Sequence, residues 1–201
     1  DEARVIAERT TAARPTVATT DKSIAVLPFV DMSQGKDQEY FSDGLTEELL
    51  NLLARIPQLR VIGRTSSFQF KGRNEDLRVI AEKLGVANLL EGSVRKSRNQ
   101  VRITAQLINA ANGSHLWSDT YDRDLDDIFA VQDEIAAAVV AALKLQLLPD
   151  HKVSNARYRT ANPAAHTQYL LGRQFFNRTN SDDFRRAIAA YQEAIELDPD
   201  Y

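Results

Sequence analysis

Ser42, Asp43 and Gly44 head the run FSDGLTEELLNLLARI (41–56), which follows an apolar stretch, SIAVLPF (23–29), and a polar loop. A strand, a glycine-bearing loop and a helix is the order in which backbone N–H groups at a helix N-terminus cradle a phosphate. The residue types argue against that chemistry here. The loop carries only Gly35 and Gly44 and makes neither GxxxxGK(S/T) nor GxGxxG, and Asp43 and Glu47 would repel an anion. A capped helix explains the run better. Ser42 or Asp43 would accept from the first unbonded N–H groups, with Glu47 and Glu48 where the helix dipole favours negative charge.

Ligands of open α/β sheets sit beyond the carboxyl ends of the parallel strands. That edge is expected to gather Asp31, Tyr40, Ser42, Asp43 and Gly44 after the first strand, and Arg64, Thr65, Ser66 and Ser67 at the end of the second. Arg64 would pair with a ligand carboxylate, or else with Asp43 or a nearby glutamate.

Other chemistry finds little support. The acidic run Asp119, Asp122, Asp124, Asp126, Asp127 fails the calcium-loop pattern, which needs glycine sixth and glutamate twelfth. Counted from Asp122, those positions hold Asp127 and Asp133. Asp126 and Asp127 read instead as caps of the next helix. His115, His151 and His166 have no metal-pair spacing, and Ser66 and Ser67 lack a nucleophile-elbow context. Trp117 and Tyr121 read as packing. No catalytic residue, metal ligand or cofactor is assigned.

The 201 residues include 43% hydrophobic and 26% charged types, with 25 basic and 28 acidic side chains and a net charge of −3. This is globular composition with no basic patch for nucleic acid. The absence of cysteine excludes disulfides, thiolate metal sites and cysteine nucleophiles. No apolar run approaches the roughly 20 residues of a membrane helix. The chain starts at Asp1 without methionine and reads as a piece of something longer.

Residues 1–22 have linker composition, with a short helix over 2–8. The apolar stretch 23–29 predicts a buried strand. Leu45, Leu49, Leu52, Leu53 and Ile56 form one helical stripe, ended by Pro57. A second strand is predicted over 59–66, a second helix over 74–84 stopped by Gly85, and a third strand over 87–95. This β-α-β-α-β order predicts parallel pairing. After a turn at 97–100, Val101, Ile103, Ala105 and Leu107 alternate with polar residues, Asn112-Gly113 signals a hairpin, and 116–121 returns. A long helix follows over 126–147, with Ile128, Val131, Ile135, Val139 and Leu143 inward. The predicted fold is therefore α/β: a mixed sheet, parallel and then antiparallel, with a long C-terminal helix, spanning 23–149. A linker, 150–162, precedes an all-α helical hairpin at 163–201, where Asn162-Pro163 caps one helix, Ser181 starts the other and Pro199 ends it.

Leu171, Gly172, Phe175, Ala187, Tyr191, Ala194 and Pro199 in that hairpin resemble the signature positions of a tetratricopeptide repeat. Gly172, Ala187 and Ala194 would let the helices approach, with Tyr191 and Phe175 filling the gap. The spacing from Gly172 to Ala187 is longer than usual. One repeat cannot bury its own face, so the pair is expected both to dock on the α/β unit and to begin an array.

Residues 23–147 resemble the TolB-like amino-terminal domain, related to the flagellar FlgO type, through IAVLPF, YFSDGLTEELLNLLARIPQLRVIGRTSSFQFKG, IAEKLGVANLLEGSVRK, VRITAQLINAANGSHLWSDTYDR and IFAVQDEIA. The resemblance implies the sensory half of a bacterial membrane-bound regulator, behind a class III adenylate cyclase domain or a CadC-like DNA-binding domain. It implies a membrane anchor before residue 1 and a periplasmic location, the cytoplasm being the other choice. The expected function is non-catalytic sensing or protein interaction. A protein or peptide would bind the repeat, a small molecule could bind the α/β unit, and a homodimer is a further expectation. The other readings are an enzyme using the strand-end cleft and a dimerising spacer.

Overall fold

The computed structural model describes residues 22–143, 160–178 and 180–201. The expectations for the N-terminal linker, for the end of the long helix and for most of the second linker lie outside these residues.

Strand β1 (Ser23–Val26) is fully buried and sits between β3 (Arg60–Val61) and β4 (Asn88–Ser97), parallel to both. β4, β5 (Gln100–Asn109) and β6 (His115–Asp124) then run antiparallel, giving the order β3-β1-β4-β5-β6. The two-residue strand β2 (Val30–Asp31) lies beside β4, beyond the end of β1. The first strand is shorter than its apolar run because Pro28 has no N–H for the ladder. Phe29 N–H donates instead to Thr46 Oγ1 at 2.9 Å.

Helices α1 (Glu39–Ala54) and α4 (Ile128–Ala142) cover one face of the sheet. Leu45, Leu49, Leu52, Leu53 and Ile56 from α1, and Ile128, Val131, Ile135 and Val139 from α4, pack on Val101, Ile103, Ala105 and Leu107. Trp117 and Tyr121 join this core, while Leu143 is only partly buried against it. On the other face α3 (Leu77–Leu84) closes a smaller cluster around Ile80, Ala81 and Leu89, and Gly85 ends it with a left-handed φ of 64°. The mixed α/β fold read from the sequence is the one observed.

Three local expectations are corrected. Helix α1 begins at Glu39, so Ser42 and Asp43 are not caps. The Asp31 carboxylate gathers the N–H groups of Ser33 and Gln38 at 2.8 Å each and turns the chain into the helix earlier. Second, the strand expected over 59–66 keeps only two residues, and Arg64–Phe68 forms a short helix, α2. Its N–H groups at Ser66 and Ser67 turn back to the Gly63 carbonyl. Third, Asp126 and Asp127 lie in a 3-10 turn before α4, and the Asp127 side chain makes no capping bond.

Helices α5 (Pro163–Asn177) and α6 (Ser181–Leu197) form an antiparallel pair. Asn162 Oδ1 accepts from Ala164 and Ala165 N–H, with Pro163 at the first helical position. A Cβ on Gly172 would lie 2.5 Å from the Tyr191 ring, so that glycine is what lets the helices meet. Ala187 and Ala194 are buried, and Leu171 and Phe175 are half-buried. No helix among the described residues is long and apolar enough to cross a membrane.

Candidate functional site

Helix α1 has a second buried side, and it is polar. Helix α5 docks on it. Leu170 is 3% exposed and sits over Gly44, where a Cβ would lie 2.4 Å from Leu170 Cδ2. The smallest side chain is needed here because a neighbouring helix takes the space. His166, Leu170, Arg173 and Asn177 follow one another at i, i+4, i+7 and i+11, which puts them on one face of α5.

Glu47 is the centre of this joint. Its side chain is only 8% exposed, and Arg64 of α2 and Arg173 of α5 both pair with it. Asn177 Nδ2 donates to the same carboxylate at 3.3 Å. Burial alone would lower the pKa of Arg173, but the Glu47 carboxylate together with Tyr169 and Tyr191 more than offsets this and the guanidinium stays charged. One turn away, Lys71 Nζ lies 2.6 Å from both Asp43 and Glu39, and Gln174 Nε2 donates to Glu39. On the far flank His166, 3% exposed, lies 3.1 Å from Glu48 and packs on the Phe129 ring of α4 at 4.6 Å.

A cavity of about 250 Å³ opens between α1, α2 and α5. Arg64, Lys71, Arg173 and Arg178 face Glu39, Asp43 and Glu47 across it, with Phe68 and Leu170 as apolar wall. The Arg64 guanidinium stacks 3.9 Å above the Phe68 ring. Asp43 is less tightly served than Glu47. Its Oδ1 is buried without a partner, and burial pushes its carboxyl above the usual range despite Lys71.

Of the residues expected at the strand ends, Tyr40, Asp43, Gly44 and Arg64 line this cavity. The others do not. Asp31 is engaged in the loop before α1, where the Ser33 and Gln38 donors outweigh partial burial and hold its carboxyl below the ordinary value. Ser42 is buried, with its hydroxyl donating to the Glu39 carbonyl. Thr65 and Ser66 face solvent, and Ser67 is buried with an unpartnered hydroxyl. Arg64 takes Glu47 rather than Asp43. Sequence reasoning missed Glu47, Lys71, Arg173 and Asn177 because polar and charged side chains on a helix or in a turn read as solvated until a neighbouring element covers them. The signal available was Gly44 with a charged i+3 neighbour, Glu47, on the side of α1 away from its leucine stripe.

A larger groove of about 420 Å³ lies among α3, the β4–β5 end and the end of α4, lined by alanines, two asparagines and the Arg78–Glu82 turn. It lacks the convergent charge of the α1–α5 cavity. Among the described residues no cluster of three or more His, Cys, Asp or Glu side chains could hold a metal ion.

Comparison with known proteins gives three results. Residues 20–138, more than half of the chain, match the family described as "HilA/YgeH-like transcriptional regulator, second domain". A protein of Rhizobium meliloti (strain 1021), named "Putative adenylate cyclase 3", is 42% identical over 180 residues, which is 88% of this chain and 30% of that protein. The chain thus spans about a third of that relative's length. Among solved structures, TolB from Acinetobacter baumannii superposes with a TM-score of 0.47 at 14% identity, over 60% of this chain and 28% of that one. Lipoprotein GNA1162 from Neisseria meningitidis gives 0.45 at 18% identity, over 63% and 99%.

Proposed function

The chain belongs to the family of HilA/YgeH-like transcriptional regulator second domains, and we propose that it is a non-catalytic sensory segment whose α5–α6 pair reports on the state of the α/β unit. The observation that carries this reading is the joint itself. The pair is held on α1 by Glu47, Arg64, Arg173 and Asn177 beside a cavity, with Leu170 and Tyr169 adding an apolar contact to the core of the α/β unit, which is itself held by apolar packing. A charged joint can be reset by any ligand or partner that prefers one arrangement of the pair, and a shift needs only that difference in affinity.

In the whole protein, the output would be cyclase-like, as the name of the Rhizobium relative suggests, or transcriptional, as the family description suggests. The α5–α6 pair would be the first tetratricopeptide repeat. Its outer stripe of Phe184, Ile188 and Ile195, exposed by 39%, 57% and 57%, supports stacking of a following helical pair, since a single repeat leaves such a face uncovered. A protein or peptide partner would bind that array. A membrane anchor before residue 1 and a periplasmic site remain part of this proposal.

The test is Glu47→Gln in the full-length protein. The output activity is expected to change while the α/β unit stays folded. An unaltered output from a protein whose α5–α6 pair is shown by hydrogen exchange to be released would overturn the reading.

A further inference from the structure

We propose that the cavity between α1, α2 and α5 binds a free α-amino acid, or a zwitterion of that size, with its carboxylate on Arg64 and Arg178 and its ammonium on Asp43. The inference rests on the sensory reading above and adds the chemical class of the ligand.

The donors come first. Arg64 spends Nε on Glu47, which leaves its two terminal nitrogens as a planar fork suited to a carboxylate. Arg178 follows the last turn of α5 and pairs with no carboxylate among the described residues. Its guanidinium lies 5.7 Å from the Phe175 ring. The acceptors are equally uneven. Glu47 is served by three side chains, whereas Asp43 keeps one oxygen on Lys71 and has no partner for the other. The cavity therefore offers unused donors and an underused acceptor together, and a zwitterion supplies the complement of both.

Charge and size narrow the class further. A phosphate or a dicarboxylate would meet Glu39, Asp43 and Glu47 on the same wall. A plain amine would leave Arg64 and Arg178 unmatched. About 250 Å³ is below the 300–1,000 Å³ of ordinary ligand pockets, which excludes nucleotides and favours a very small metabolite. Phe68 and Leu170 are positioned to cover a short apolar side chain. Because Asp43 and Arg64 belong to the α/β unit and Arg178 to the helical pair, such a ligand would tie the two together.

The experiment is a thermal melt of residues 1–201 with each proteinogenic L-α-amino acid, followed by calorimetric titration of those that raise the midpoint. The matching N-acetyl amino acids, amino acid amides and decarboxylated amines form the control arms. At least one free amino acid is expected to bind, with the three control arms at least ~10-fold weaker. Arg178→Gln changes an exposed side chain and is expected to weaken binding ~10-fold or more while leaving the melting curve without ligand unchanged. Asp43→Asn should weaken it comparably. A flat amino acid screen overturns the proposal. So does N-acetyl binding as tight as that of the free acid, or undiminished affinity in Arg178→Gln. None of these outcomes touches the Glu47→Gln test of the sensory reading, so the two can fail separately.

Discussion

The two buried sides of α1 are made of different material. Toward the sheet, Leu45, Leu49, Leu52 and Leu53 enter a continuous apolar core. Toward α5, the same helix presents Gly44, Glu47 and Glu48 to Leu170, Arg173, Asn177 and His166. Apolar burial is non-directional and is not screened by salt, whereas a buried ion pair recovers its desolvation cost only when every partner is in place. One side of the helix is thus a permanent fixture. Under the proposed function, the other would be made and unmade as the pair reports on the α/β unit.

The sharpest contrast should come from substitutions on the two sides. Leu49→Ala removes a fully buried side chain and is expected to cost about 2–5 kcal/mol. In urea the whole fold should shift to a lower midpoint, the pair included. If only α5–α6 were affected, the division drawn here would be wrong.

Gly44→Ala is expected to cost about 1–3 kcal/mol by overpacking against Leu170. The loss should be confined to the joint, so that amides of α5 exchange faster while those of β4 and β5 keep their protection. Equal acceleration in the sheet would erase the comparison.

Glu47→Gln leaves two guanidinium groups facing a neutral amide. Because each arginine is about a third exposed, we expect roughly 1–2 kcal/mol rather than the full cost of a buried pair. The difference from wild type should shrink as salt is added, while the Leu49→Ala difference should not.

The smallest effect concerns pH. Burial raises the carboxyl pKa of Asp43 in the folded state above its ordinary 3.8. Its favourable contribution is therefore complete below that value and is lost as pH rises through the folded-state value, so at neutral pH the ionised side chain is a net cost. Asp43→Asn should stabilise slightly at neutral pH, with the gain vanishing in acid. Asp31 runs the other way: its lowered carboxyl pKa contributes stability above the ordinary value that is lost in acid, and Asp31→Asn should destabilise at neutral pH. Melting midpoints across the acid range check both directions.

Much of the fold was legible in particular residues. The alternation from Val101 to Leu107, the left-handed glycines at Gly85 and Gly113, and the Asn162-Pro163 cap all act within a few residues, and each is found where expected. The start of α1 was misread because its loop is tied by Asp31 from seven residues away, a bond with no periodicity to announce it. The second strand was misread because its sequence suits an extended chain, while the Gly63 carbonyl gathers the next N–H groups into a turn.

The sequence by itself determined most of the strands and helices, Arg64–Phe68 excepted, and which face of each is apolar, because periodicity and capping are local. It also placed Asp43, Gly44 and Arg64 among the candidate residues. Only the tertiary structure decided what the polar side of α1 meets. Glu47 and Arg173 are 126 residues apart, and a glutamate on a helix reads as solvated until a second helix arrives to bury it. The same packing turned Gly44 from a loop glycine into the contact point for Leu170, since a Cβ there has no room once α5 is docked.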